Sequence, residues 1–240
     1  MRSWIATILF IVVTIVLSIV SVPAAVIDRS GRSYLALARA WSRSFLWLYG
    51  IRIVTQGEQL VSGLPTVYVS NHSSYVDIPV ILASIQDDIR LMLRDSLTRI
   101  PIWGWALKVS PFLIISRENA ARAKATLDNA TATIRKGASV LLFPEGTRTS
   151  TGALQPFKRG AFKIALESCA RVVPVYLDGA FDVLPRTEKL PRTNRTIHVH
   201  IGAAITLPSS HGRVAELELM QTAEAAMHAL ADASAQHSTA

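Results

Sequence analysis

The chain of 240 residues is half hydrophobic and only 18% charged, which suits one α/β core with an apolar appendage rather than two independent domains. Its net charge of +8 comes with no helix-turn-helix, zinc-finger or RNA-binding pattern, so no nucleic-acid partner is expected, and its mean hydropathy of +0.32 reflects apolar residues massed at the N-terminus, which points to lipid. The single cysteine, Cys169, excludes an intramolecular disulfide and a multi-thiolate metal centre and reads as an ordinary buried thiol.

No charged residue lies between Arg2 and Asp28. The run from Trp4 to Ile27 predicts a helix long enough to cross a hydrocarbon core of about 30 Å. A secretory signal peptide is the alternative, but the apolar run exceeds the usual h-region of about 7–15 residues. Residues 34–53 mix Leu35, Trp41, Phe45 and Trp47 with Arg39 and Arg43, a composition for an interfacial helix. Residues 1–53 therefore predict a membrane or interfacial helical hairpin, flanked by arginines (Arg2, Arg29, Arg32, Arg52) that suit anionic headgroups.

Beyond Gly57 short β-rich runs alternate with amphipathic helices, the pattern of an α/β domain with a largely parallel sheet, here spanning 54–232. Strands are predicted at 66–70, 112–116, 139–143, 172–177 and 196–201, with a further one near 90–93. Helices are predicted at 78–84, 119–135, 157–168 and 213–233, the second stopped at Gly137. The small, polar stretch 233–240 reads as a flexible tail. His198 and His200 alternate with Ile197, Val199 and Ile201 and read as the solvent side of a strand rather than a metal pair.

Two segments carry chemistry. Asn71-His72-Ser73-Ser74-Tyr75-Val76-Asp77 follows a strand and precedes a helix, so it lies at a strand's carboxyl end, where open α/β sheets bind ligands. The five-residue offset lets Asp77 fold back onto the His72 ring, fix its tautomer and stabilise imidazolium, while the other ring nitrogen takes a proton from an attacking hydroxyl. No Gly-x-Ser-x-Gly elbow is present, so the nucleophile belongs to the substrate. Phe143-Pro144-Glu145-Gly146-Thr147-Arg148 again follows an apolar strand. Gly146 admits close backbone approach to an anion, Arg148 offers a planar donor fork, and Glu145 can bind a hydroxyl or orient the arginine. Arg117 and Lys158 supply further cations of the kind a phosphate monoester needs. Taken singly, each segment also fits a plain turn with a side-chain cap or surface ion pair.

In order and spacing these segments resemble the glycerolipid acyltransferases, in particular the 1-acyl-glycerol-3-phosphate acyltransferases. Asn71, His72, Ser74 and Asp77 match the first family motif. Phe143 to Arg148 match the third, with Thr149 in place of its serine, and Val173-Pro174-Val175 match the fourth. The second motif keeps Arg117, but Pro111 and Ile114 stand where glycine and phenylalanine are usual. The resemblance implies a mixed, largely parallel sheet flanked by helices, of the glycerol-3-phosphate acyltransferase-like kind, with an N-terminal membrane hairpin. It implies His72 as general base with Asp77 as its orienter. Arg117, Glu145, Gly146, Thr147, Arg148 and Lys158 would surround the acceptor headgroup, with Asn71, Ser74, Phe143, Pro144 and Pro174 in support. The implied donor is acyl-CoA or acyl-carrier protein, with no cofactor and no metal.

The expected reaction is acylation of the sn-2 hydroxyl of lysophosphatidic acid to phosphatidic acid in phospholipid biosynthesis. Another lysolipid acceptor, such as a lyso-ornithine lipid, is the alternative within the class, and a catalytically degenerate protein that binds anionic lipid is the alternative outside it. A membrane location is expected, on the cytoplasmic side of a bacterial inner membrane, because acyl thioesters are made in the cytosol.

Overall fold

A computed structural model describes residues 2–57, 64–116 and 120–238. Helices α1 (Arg2–Ile27) and α2 (Arg32–Tyr49) lead into strand β1 (Arg52–Gly57), then β2 (Thr66–Ser70), α3 (Asp77–Ser84) and β3 (Ile89–Arg94). A 3-10 turn (Asp95–Arg99) precedes α4 (Trp103–Val109), β4 (Leu113–Ile115), α5 (Ala120–Arg135) and β5 (Ser139–Leu142). The chain closes with α6 (Gly160–Ser168), β6 (Arg171–Asp178), α7 (Ala180–Val183), β7 (Thr196–Ile201) and α8 (Gly212–Ser238). The described strands form one sheet in the order β1-β7-β6-β2-β5-β3-β4, parallel throughout except for the β6–β7 pair.

β2 and β5 are buried along their whole length, as a parallel strand covered on both faces must be. Alternation along β2 assigns its side chains to two cores. Tyr68 joins Leu141, Val173 and Val175 with residues of α2 and α3. Val67 and Val69 join Val140, Leu142 and Val172 with residues of α5, α6 and α8. The first core includes Tyr34, Leu35, Phe45, Leu46 and Tyr49 of α2, so the N-terminal helices share the sheet's own hydrophobic core.

α1 packs through Phe10 against Trp41 and Phe45, with ring centroids 5.2 and 5.0 Å apart. Two hydrogen bonds pin it further: Trp41 Nε1 donates to Thr14 Oγ1 at 3.0 Å, and Thr7 Oγ1 meets the Tyr49 hydroxyl at 2.7 Å. Its other face is open, with Trp4, Ile8, Val12, Val16 and Ile19 all exposed. By length and composition, 3–27 is the one candidate membrane span among the described residues.

Several expectations change. The second helix stops at Tyr49 rather than reaching Ile53, because Gly50 takes a left-handed φ of 64° and the Ile51 N–H returns to the Leu46 carbonyl at 2.8 Å. Arg52 and Ile53 consequently belong to β1, paired with β7. α4 was not anticipated; seven residues of tryptophan, glycine and aliphatics leave too short a period to read. The supposed flexible tail is helical through Ser238, where Ser234 Oγ donates to Asp178 at 2.8 Å. Cys169 is exposed rather than buried, because it takes the left-handed position that ends α6. His200 is buried, at 6% exposure, with its ring centroid 6.3 Å from that of Tyr176 on the neighbouring β6.

Candidate active site

β2 and β5 are parallel neighbours, so the segments that leave their carboxyl ends emerge side by side. Asp77 is fully buried and its Oδ2 accepts from three donors: His72 Nδ1 at 2.8 Å, the Ser73 N–H at 2.8 Å and the Ser74 N–H at 2.9 Å. A carboxylate oxygen is an acceptor here, so Nδ1 carries the N–H of this pair. Nε2 is then the basic nitrogen. The ring lies flat on Phe143, centroids 4.0 Å apart at 16°, which fixes its plane, and 19% of the side chain remains exposed.

The turn between His72 and Asp77 is held from outside. Asn71 brackets the end of β6, donating from Nδ2 to the Leu177 carbonyl at 3.0 Å and accepting the Leu177 N–H at 2.8 Å. Ser74 Oγ donates to the Leu184 carbonyl at 2.8 Å and accepts the Val76 N–H at 3.1 Å. Both side chains satisfy buried backbone that the turn would otherwise strand.

The second segment is tied to the first. Glu145 Oε1 accepts the His72 N–H at 2.9 Å, and the Thr149 N–H donates to the His72 carbonyl at 2.9 Å. Glu145 is 3% exposed. Burial, aided by the nearby Asp77 charge, pushes its carboxyl up to about 7, against the pull of backbone N–H groups from His72 and Gln155. Its Oε2 and Arg148 Nη1 are both buried without a hydrogen-bond partner among the described residues. Gly146 has φ 75°, and a Cβ there would sit 2.9 Å from the Lys158 ammonium, so the absence of a side chain lets that cation close over the turn. The Lys158 N–H donates to the Pro144 carbonyl at 2.9 Å, and Thr147 is exposed beside it.

Of the residues singled out in the sequence, Pro174 lies apart, buried within β6 opposite Val69 where the strand leaves its antiparallel pairing with β7. Arg117 lies outside the described residues. Two features had no signal in the sequence. Arg148 stacks on the Tyr75 ring, Cζ 3.4 Å from its centroid. An apolar cavity of about 720 Å³ runs from Tyr75 and Val76 between α1, α2 and α4, past Phe10, Trp41, Trp103 and Leu184. Its walls come from segments too distant in the chain for any local pattern to unite them.

A histidine held by a buried carboxylate, on a turn whose Tyr75 and Val76 line an apolar cavity, is equipped to deprotonate a hydroxyl on an amphiphile. The acyltransferase family model matches residues 52–178. The chain belongs to the acyltransferase family. Among similar proteins, it is 34% identical over 177 residues to the chloroplastic 1-acyl-sn-glycerol-3-phosphate acyltransferase BAT2 of Brassica napus, covering 72% of this chain and 51% of that one. It is 31% identical over 166 residues to the human 1-acyl-sn-glycerol-3-phosphate acyltransferase beta, covering 68% and 59%. The chain thus spans about half the length of the first of these relatives. The crystal structure of the 1-acyl-sn-glycerophosphate (LPA) acyltransferase PlsC from Thermotoga maritima superposes with a TM-score of 0.80, covering 98% of each chain at 19% identity, a likeness of fold. The matched acyltransferase region begins at β1 and ends with β6, so it contains both segments of the site.

Proposed function

We propose that this acyltransferase moves a fatty acyl group from a thioester, acyl-CoA or acyl-carrier protein, to the sn-2 hydroxyl of lysophosphatidic acid, giving phosphatidic acid at a membrane surface. The carrying observation is the His72–Asp77 pair, 2.8 Å apart, tied to a turn whose Arg148 Nη1 is an unpaired donor among the described residues, with Tyr75 and Val76 of the intervening segment lining an apolar cavity. His72 Nε2 takes the proton of the acceptor hydroxyl, and the oxygen attacks the thioester carbonyl. The tetrahedral intermediate collapses with loss of thiolate, which takes the proton back from the imidazolium. Asp77 stays ionised throughout and balances the transient positive charge. Arg148 and Lys158 hold the acceptor's phosphate, joined by Arg117, and the cavity takes an acyl chain.

The same arrangement favours a chain lying on lipid. The exposed apolar face of α1 is joined by Trp105, 59% exposed on α4, a helix that packs against α1. With the basic residues around it, that surface supports the reading of a protein on a bacterial inner membrane with the catalytic domain facing the cytoplasm. Protection from protease added to intact cells checks that orientation.

The test of the reaction is thiol release from palmitoyl-CoA, or acyl transfer from acyl-carrier protein, by membranes holding wild type or His72→Ala. General-base assistance contributes about 10²–10⁴-fold, so the variant falls by that factor with an unchanged thermal melt. Equal rates would remove His72 from the role, and transfer to lyso-ornithine lipid alone would keep the mechanism and change the acceptor.

A further inference from the structure

Resting on the reading of Arg148 as a ligand of the acceptor's phosphate, we infer that Tyr75 is a positioning residue for that arginine. Its ring holds the guanidinium by the face, so the edge donors stay free for the anion. The distance from Arg148 Cζ to the ring centroid, 3.4 Å, is that of a close stack. Stacking engages the flat face of the cation, whereas its five N–H groups point outward in the plane. The two interactions therefore do not compete.

The surroundings of Arg148 agree. Among the described residues no ion pair to it is found, although Glu145 is only three positions away. Its Nη1 is buried without a partner among the described residues, a costly arrangement unless a ligand supplies the acceptor. A carboxylate in contact with the guanidinium would occupy the donors that phosphate needs; an aromatic ring fixes it and leaves them free.

Tyr75 is also well placed to couple the two halves of the substrate. It stands between His72 and Asp77 on the turn that follows β2, and it is 58% exposed while its neighbours Ser74 and Val76 are buried. It lines the apolar cavity as well. One ring thus borders the cation that holds the headgroup and the space that takes a chain, and it joins the 71–77 turn to the 143–148 turn by a contact that uses no hydrogen bond.

The experiment is a double-mutant cycle in steady-state kinetics on the full chain in mixed micelles, with Tyr75→Phe, Tyr75→Leu, Arg148→Ala and the pair Tyr75→Leu/Arg148→Ala. Tyr75→Phe keeps the ring and stays within about twofold of wild type. Tyr75→Leu keeps apolar bulk, raises KM for lysophosphatidic acid about tenfold, and leaves kcat and the donor KM unchanged. In the Arg148→Ala background the leucine adds nothing further. A leucine effect of the same size in that background, an equal rise in the donor KM, or a Phe variant as impaired as Leu would overturn the inference. Wild type that turns over lysophosphatidic acid while Tyr75→Leu matches it overturns the inference alone. Wild type that acylates no phosphate-bearing acceptor overturns the parent reading and this one with it.

Discussion

At Glu145 the fold maintains a carboxyl that would be more stable neutral. Its Oε1 is used by the His72 N–H, while burial raises its pKa from 4.5 to about 7. Between those values the native state binds more protons than the unfolded chain, so stability falls as pH rises from about 4.5 to 7 and stays reduced above. Glu145→Gln keeps an acceptor for His72 and removes the titration. Its melting temperature, relative to wild type, is therefore expected to rise more at pH 8.5 than at pH 5, and a difference that is flat with pH would contradict the burial of an ionisable group here. The candidate residues of this site were legible because each proposed role sits inside a short stretch: His72 and Asp77 flank one turn, Glu145 to Arg148 another. What Tyr75 does was not legible, since an aromatic in a turn carries no local sign of the cation it meets.

Among the elements, the junction from α2 to β1 decides where the N-terminal hairpin ends and the sheet begins. The apolar and aromatic composition of 34–53 runs without a break through Gly50, so composition alone extends the helix too far. The stop is conformational. Gly50 adopts φ 64°, and a Cβ there would lie 2.4 Å from Asn194 Oδ1, on the loop before β7. Gly50→Ala is expected to cost roughly 1–2 kcal/mol from the left-handed backbone, with more from that clash, read as a lower denaturant midpoint at unchanged m-value. The central strands were easier. β2, β5 and β6 are continuous apolar runs because both their faces are covered, and β7 was found by its alternation although its buried His200 reverses the assumption that histidines face solvent.

Over the whole molecule, α1 is a wall of the cavity and, on the proposed reading, an anchor. Its inner face closes the apolar cavity through Phe10 and Thr14, and its outer face presents Val12 and Val16, each about half exposed at 52% and 51%. On the proposed reading, Val12→Glu with Val16→Glu leaves the cavity and the melt unchanged but shifts the protein from the membrane fraction to the soluble one. A charge at the centre of a buried apolar helix face costs about 2.5–3.5 kcal/mol on insertion scales. Unchanged fractionation would mean that the outer face does not meet lipid. The uncharged run itself was plain in the sequence, but whether it stands free or lies along the domain was not. The packing against α2 and α4 settles that, because residues such as Ala6, Ser18 and Ser21 are buried in protein.

By itself, then, the sequence determined the class of fold, the two turns of the candidate site and the apolar N-terminal segment. Each of these is written in residues adjacent along the chain, where period, strand-end position and motif spacing act locally. Only the tertiary structure decided how His72 and Glu145, 73 residues apart, share one hydrogen bond, how Arg148 comes to rest on Tyr75, and how helices from the start of the chain wall a cavity beside β3 and α4. Those outcomes depend on strand order: β5 inserts next to β2 across an intervening β3 and β4, and the adjacency of their carboxyl ends is a property of the sheet rather than of any segment in it.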